Sequence, residues 1–241
     1  MSLKSLYRSP CPTPAVDSGV KPPHYLIAHY SWAYVHHRAV WLFERQWLVN
    51  LILWGNYARL RDAAMVELGD LISGTTLQVA CVYGDLTSEL VSRVVAGGGT
   101  IDIVDVLPVQ LENLRDKLPP GAPARLMSMD SADLKLPPAS YDRALLFFLL
   151  HEQPSEHRER TLSEVFRVVR PGGKIVIIDY ALPRWWHPLR YAWRPLLALL
   201  EPFALDLWRG DIIQWLPAAA RGEWRQQSFF GGLYQKVVIK R

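Results

Sequence analysis

Leu77-Gln78-Val79-Ala80-Cys81-Val82-Tyr83-Gly84-Asp85 is a short apolar run that stops at a glycine and an acid. Residues 85–95 continue with helical spacing, and Thr100-Ile-Asp-Ile-Val-Asp105 is a second apolar run. Strand, turn, helix and strand make a β-α-β unit, which forces the two strands parallel because the crossover returns the chain to the same end. The alternation continues. Arg125-Leu-Met-Ser-Met129 reads as a third strand after a helix over 108–118, and Tyr141-Asp-Arg-Ala-Leu-Leu-Phe-Phe148 as a fourth. A helix over 155–169, a turn at Pro171-Gly172-Gly173 and a strand Lys174-Ile-Val-Ile-Ile-Asp179 follow. Gly231-Gly232 then joins 224–230 to 234–240 as a hairpin. The expected fold class is α/β: a Rossmann-like, doubly wound sheet with helices on both faces and an antiparallel C-terminal pair.

The flanks differ from this middle. The chain has 241 residues and ten Trp, none of them between residues 55 and 184. Residues 1–23 hold five prolines and read as a flexible leader. Residues 24–72 read as a helical cap, with a helix over 38–54 striped by Val40, Phe43, Trp47, Leu51 and Trp54, and a second over 58–72. Residues 73–181 read as the Rossmann-like core, whose strand tips are the expected place of a nucleoside site, 182–223 as an aromatic and basic lid or membrane-contact insertion, and 224–241 as the closing hairpin. The longest stretch free of Lys, Arg, Asp and Glu is sixteen residues, 22–37, with two prolines and four histidines. That excludes a spanning helix, which needs roughly 20 apolar residues. Cys11 and Cys81 are too far apart in sequence and too few for a disulfide framework or a zinc site. A formal charge of +4 permits weak attraction to anionic surfaces, and no nucleic-acid partner is expected from it.

A doubly wound sheet binds ligands beyond the carboxyl ends of its strands, where the strand order reverses. Tyr83-Gly84-Asp85 stands there, either as a close-approach turn at a helix N-terminus or as a plain turn with Asp85 as its cap. Asp105 ends the second strand twenty-one positions after Gly84, the place of a carboxylate that accepts from ribose hydroxyls. Met129-Asp130-Ser131-Ala132 follows the third strand, and its carboxylate suits the exocyclic amine of a purine. The expected cofactor set is Tyr83, Gly84, Asp85, Asp105, Val106, Asp130, Ser131, Ala132 and Phe147. His151, Tyr83 and Tyr180 are the candidate acid, base or polarising groups, with His151 first. His36, His37 and Tyr34 could reach over the cleft.

The order Gly84, Asp105, Asp130, Tyr141-Asp142, Leu149-Leu150-His151 and Arg167-Val-Val-Arg-Pro-Gly-Gly-Lys174 resembles the class I S-adenosylmethionine-dependent methyltransferases over roughly residues 60–180. Phe229-Phe-Gly-Gly-Leu-Tyr234 looks like the ending of quinone-ring members of that group. The first loop departs from the family. An acidic residue, an apolar one and Gly-x-Gly-x-Gly are replaced by Gln78-Val79-Ala80-Cys81-Val82-Tyr83-Gly84, which puts bulk where the methionine part of the cofactor would lie.

That altered loop resembles the rhodoquinone-biosynthesis family. So do His29-Tyr-Ser-Trp-Ala-Tyr-Val-His-His-Arg38, the stretch from Phe43 to Asn56 and Ala80-Cys-Val-Tyr-Gly-Asp-Leu-Thr87. The resemblance implies conversion of ubiquinone to rhodoquinone, a ring methoxy group being exchanged for an amino group. It further implies S-adenosyl-L-methionine as amino donor and Mn²⁺ as an aid. No His/Asp spacing identifies metal ligands; Asp179 and Glu152 are only candidates, so the metal residues are unknown. A ubiquinone lives in the bilayer, so the expected enzyme is cytoplasmic and peripheral to the inner, energy-transducing membrane. Leu189, Trp193, Leu196, Leu197 and Leu200, with Arg190 and Arg194 alongside, suit headgroup depth, or else form an internal lid. The alternatives are a conventional quinone methyltransferase and a non-catalytic scaffold of the same fold. A nicotinamide dehydrogenase is disfavoured because no G-x-G-x-x-G follows the first strand.

Overall fold

The computed structural model describes residues 20–28 and 45–241. The leader up to residue 19, Cys11 within it, and the segment holding Tyr34, His36, His37, Val40 and Phe43 lie outside the described residues. Two helices, α1 (Gln46–Ile52) and α2 (Tyr57–Leu68), precede the sheet. The core then runs β1 (Thr75–Val79), α3 (Leu86–Gly97), β2 (Thr100–Asp105), α4 (Pro108–Lys117), β3 (Ala124–Ser128), β4 (Tyr141–Phe147), α5 (Ser155–Val168) and β5 (Val169–Tyr180). The chain continues through α6 (Leu189–Leu200) and several single turns to β6 (Glu223–Phe229) and β7 (Tyr234–Lys240).

The sheet order is β3-β2-β1-β4-β5-β7-β6. The first five strands are parallel, and β7 slots antiparallel between β5 and β6. The α/β expectation and the closing pair are therefore present as read. Ala144–Phe147 of β4 are all buried, as a strand covered by helices on both faces must be. One face of α5 carries the matching contacts, burying His157, Thr161, Leu162, Val165 and Val168.

Three boundaries differ from the sequence reading. The first strand ends at Val79 and not at Tyr83, because Ala80 takes φ 73°, the left-handed region, and turns the chain out of the sheet. Cys81 is thereby a loop residue and not a core-strand residue. The turn at Pro171-Gly172-Gly173 is an excursion within β5: the register jumps from Tyr141↔Val169 to Arg143↔Lys174. Of the helix expected over 38–54, the described part is Gln46–Ile52, and positive φ at Trp54 and Gly55 ends it. Its apolar stripe is not buried. Trp47 and Leu51 are 63% and 64% exposed, and α1 buries none of its residues.

Candidate functional site

The strand order reverses between β1 and β4, and a cavity of about 480 Å³ opens over the strand tips there. That volume lies in the range of small-molecule sites, roughly 300–1,000 Å³. The tips of β2 and β3 form one end and those of β4 and β5 the other. Three strand spacings separate β2 from β5, about 14 Å at ~4.8 Å each, so the two ends can hold different parts of an extended ligand pair.

At the first end Asp105 lines the cavity, tied down by the backbone N–H groups of Cys81 (2.7 Å) and Leu107 (2.8 Å). Burial pushes its carboxyl above the ordinary range, against those hydrogen bonds. Asp130 accepts from the Ala132 N–H (2.8 Å) and from His157 Nε2 (2.9 Å). Burial pushes Asp130 up too, but His157 and the amide outweigh it and hold the carboxyl below its usual value. Gln153 Nε2 donates to Ser131 Oγ (2.9 Å), which pairs with Thr161 Oγ1 (2.9 Å). Tyr25 closes this end, its ring edge-on to His157 at 5.0 Å. Val106, Leu107 and Met129 supply apolar wall, so this end offers a ligand two carboxylate acceptors beside greasy surface.

Between the two ends lies the 80–84 loop. Ala80 stands where the resembled family has its first glycine and still adopts a glycine-type backbone, its N–H donating to Val104 O at 2.8 Å. Gln78, in place of the acid, is buried and spans Ala80 O (3.0 Å) and Thr87 Oγ1 (2.9 Å). Cys81, Val82 and Tyr83 face the cavity, and Gln110 Nε2 donates to the Tyr83 hydroxyl (2.7 Å), drawing its ring toward α4. Gly84 is needed for a different reason from ligand approach. Its φ is +86°, and a Cβ there would sit 2.6 Å from Tyr57 Oη. That hydroxyl accepts the Leu86 N–H (2.9 Å) and donates to Asp85 Oδ1 (3.0 Å), while Arg61 pairs with Asp85 Oδ2 at 2.5 Å. The leading amide of α3 is thus taken by Tyr57. Gly84, Asp85 and Ala132 are not on the cavity wall, unlike Tyr83, Asp105, Val106, Asp130, Ser131 and Phe147.

At the second end His151 is buried against Asp179, Nδ1 to Oδ1 at 2.9 Å, with Glu152 Oε1 3.8 Å from Nε2. Asp179 is held by three backbone N–H groups, those of Leu150 (2.8 Å), His151 (3.3 Å) and Tyr180 (2.8 Å). Burial alone would lower the imidazole, but Asp179, Glu201 and Glu152 more than offset it, and His151 is pushed up to about 9. The three carboxylates thus favour the charged ring. Tyr180 lies edge-on to it at 4.9 Å, and burial raises its phenol well above the usual value, keeping it a neutral donor. Phe148, at φ 54°, turns its ring into the centre of Phe147, His151, Tyr180 and Tyr234.

Sequence reasoning missed Tyr25, Tyr57, Gln110, Phe148 and His157. Only His157 left a signal, an extra polar residue on the buried stripe of α5. The metal expectation fares differently. Among the described residues no three His, Cys, Asp or Glu side chains are grouped to hold an ion. Asp179 is committed to three amides and His151. The described residues do not fit Mn²⁺, and no chemistry is drawn through it.

Residues 76–173 match the family described as Methyltransferase domain. The strand order with its antiparallel closing pair is that of the class I methyltransferase fold. Among curated proteins, the ubiquinone/menaquinone biosynthesis C-methyltransferase UbiE of Stutzerimonas stutzeri is 29% identical over 140 residues, 56% of this chain and 54% of that protein. The protein of the same name from Pseudomonas putida is 27% identical over 163 residues, 64% of this chain and 62% of its own. The chain thus spans little more than half the length of these relatives. In fold it is similar to phosphoethanolamine N-methyltransferase 2 of Haemonchus contortus in complex with S-adenosyl-L-methionine (TM-score 0.64, 12% identity, 92% of this chain and 60% of that one). Human N-acetylserotonin methyltransferase is similar as well (TM-score 0.58, 17% identity, 92% and 60%).

Proposed function

We propose that the protein is an S-adenosylmethionine-using transferase that acts on a ubiquinone-type ring and exchanges a ring methoxy group for an amino group. The observation that carries this reading is one cavity with carboxylates at the β2–β3 end and a buried histidine paired with Asp179 at the β4–β5 end. Asp105 and Asp130 are suited to a ribose diol and a purine amine, with Val106, Ser131 and Phe147 as walls. When bound, the cofactor would supply the transferred group, which the resemblance implies is its amino nitrogen. That nitrogen's bond to the methionine Cα is exchanged for one to the ring carbon, and the methoxy group leaves as methanol.

The protein's own residues then have acid work to do. A quinone carbonyl becomes electrophilic when a donor polarises it, and a methoxy oxygen leaves once it is protonated. His151, charged and oriented by Asp179, can supply a proton from Nε2, and Tyr180 can donate a hydrogen bond. The aromatic edges around Phe148 suit a flat ring. Methylation of the ring would instead ask this position for a base.

The UbiE relatives favour a second reading, conventional methyl transfer to a quinone. Product mass separates the two. Purified protein is incubated with a short-tailed ubiquinone and S-adenosylmethionine, with and without Mn²⁺. Loss of methoxy with gain of nitrogen supports the proposal, and gain of a methyl group overturns it in favour of the second reading. If neither product forms and S-adenosylmethionine does not bind by calorimetry, the result favours a non-catalytic scaffold over both enzyme readings.

A further inference from the structure

We propose that the outer faces of α1 and α6 together dock the protein on an anionic lipid bilayer, with the mouth of the cavity between them. Among the described residues sixteen large apolar side chains are exposed, and they are not scattered. Four fall between residues 47 and 54 and seven between 182 and 200. Trp185 and Leu199 are 75% and 78% exposed. Isolated exposed apolar residues need no explanation, but a set gathered on two elements marks an interaction surface.

The two elements form one surface, since Trp54 and Trp193 meet edge to face at 5.2 Å. Ile52, Leu196 and Leu200 are exposed and also line the cavity, so apolar surface runs without a break from the outside to the site. Chemistry selects the occupant. The sequence from 180 to 200 contains three arginines and no acid, and Arg184 and Arg194 are exposed there beside Trp185, Trp186 and Tyr191. Indole and phenol rings with guanidinium groups belong at headgroup depth, where cations meet anionic lipid. No helix among the described residues is long and apolar enough to cross a membrane, so the contact lies in the plane of the interface.

The test is co-sedimentation of the full chain with phosphatidylcholine vesicles, with and without phosphatidylglycerol, for the wild type, Trp185→Gln/Trp186→Gln/Leu199→Gln and Arg184→Gln/Arg194→Gln. The triple variant is expected to lose about 100-fold in partitioning, from three interfacial apolar groups. The arginine variant is expected to lose roughly 30-fold on anionic vesicles only, at about a factor of five per cation. Thermal midpoints and turnover of a quinone without a prenyl tail stay unchanged in both, which separates this inference from the proposed reaction. Absence of vesicle binding by the wild type, or equal binding by the triple variant, overturns it. So does a lipid-free dimer that the triple variant abolishes by sedimentation velocity, which would give the face to a second copy.

Discussion

Replacing Asp179 by Asn should bring the His151 imidazole from about 9 back toward the ordinary value of 6.5, and the consequence for folding can be worked from the structure. About 2.5 units at 1.36 kcal/mol each is ~3 kcal/mol of preference for the charged ring. Because the folded value lies above the unfolded one, this stabilisation is fully present below about pH 6.5. It is lost as pH rises through about 9. Urea unfolding between roughly pH 6 and 10 should therefore show a decline in the wild type that Asp179→Asn flattens. The variant also loses stability at every pH, since an amide replaces a carboxylate that accepts three N–H groups. The slope is the discriminating quantity. Imidazole proton shifts, assigned with His151→Gln, give the midpoint directly. A wild type whose histidine in this position titrates near 6.5, or a slope equal in both proteins, would refute the reasoning. If His151 is the acid of the reaction, kcat falls on the alkaline side with a midpoint near 9, and His151→Gln lowers it by about 100-fold or more.

Asp105→Ala and Asp130→Ala should each weaken S-adenosylhomocysteine binding about 10- to 100-fold, the worth of hydrogen bonds to a charged group. Calorimetry reads this, and unchanged affinity in both would move the nucleoside elsewhere. Ala80→Gly should raise stability by up to about 1 kcal/mol, because relief of the left-handed alanine exceeds the added chain entropy. Urea midpoints decide it. Gly84→Ala should cost about 2 kcal/mol or more, since a methyl group meets the Tyr57 hydroxyl at a backbone angle that L-residues avoid. A thermal midpoint within error of the wild type would contradict it.

On the α1–α6 side Ile52, Leu196 and Leu200 line the cavity, and His151 and Tyr180 line its β4–β5 end. The buried Arg158 stiffens that end from behind. It donates to the carbonyls of Leu150, Gln153 and Phe203 while its guanidinium lies 4.3 Å over the Trp215 ring. The segment after α6 and the turn that carries His151 both bond to this side chain.

Period and punctuation in the sequence were enough for the sheet. Apolar runs of strand length between helical stretches admit few arrangements, and Gly231-Gly232 between two such runs admits one. Asp105 and Asp130 were legible because their positions at strand ends follow from the same alternation. The loop at 80–84 was only half legible. Its lost glycines show in the sequence, but the left-handed backbone kept at Ala80 does not, because φ at one residue depends on what the tertiary structure holds in place.

The local order of residues thus determined the architecture, the two carboxylates at strand ends and the division into Trp-rich flanks and a Trp-free middle. Tertiary structure alone decided the partners. His157 reaches Asp130 and Asp179 reaches His151 across 27 and 28 positions of chain, and Tyr57 caps a helix that begins 29 positions later. It also decided that the stripe of α1 faces outward. Periodicity reports that a helix has an apolar side, whereas which surface lies opposite that side is set only when distant segments pack.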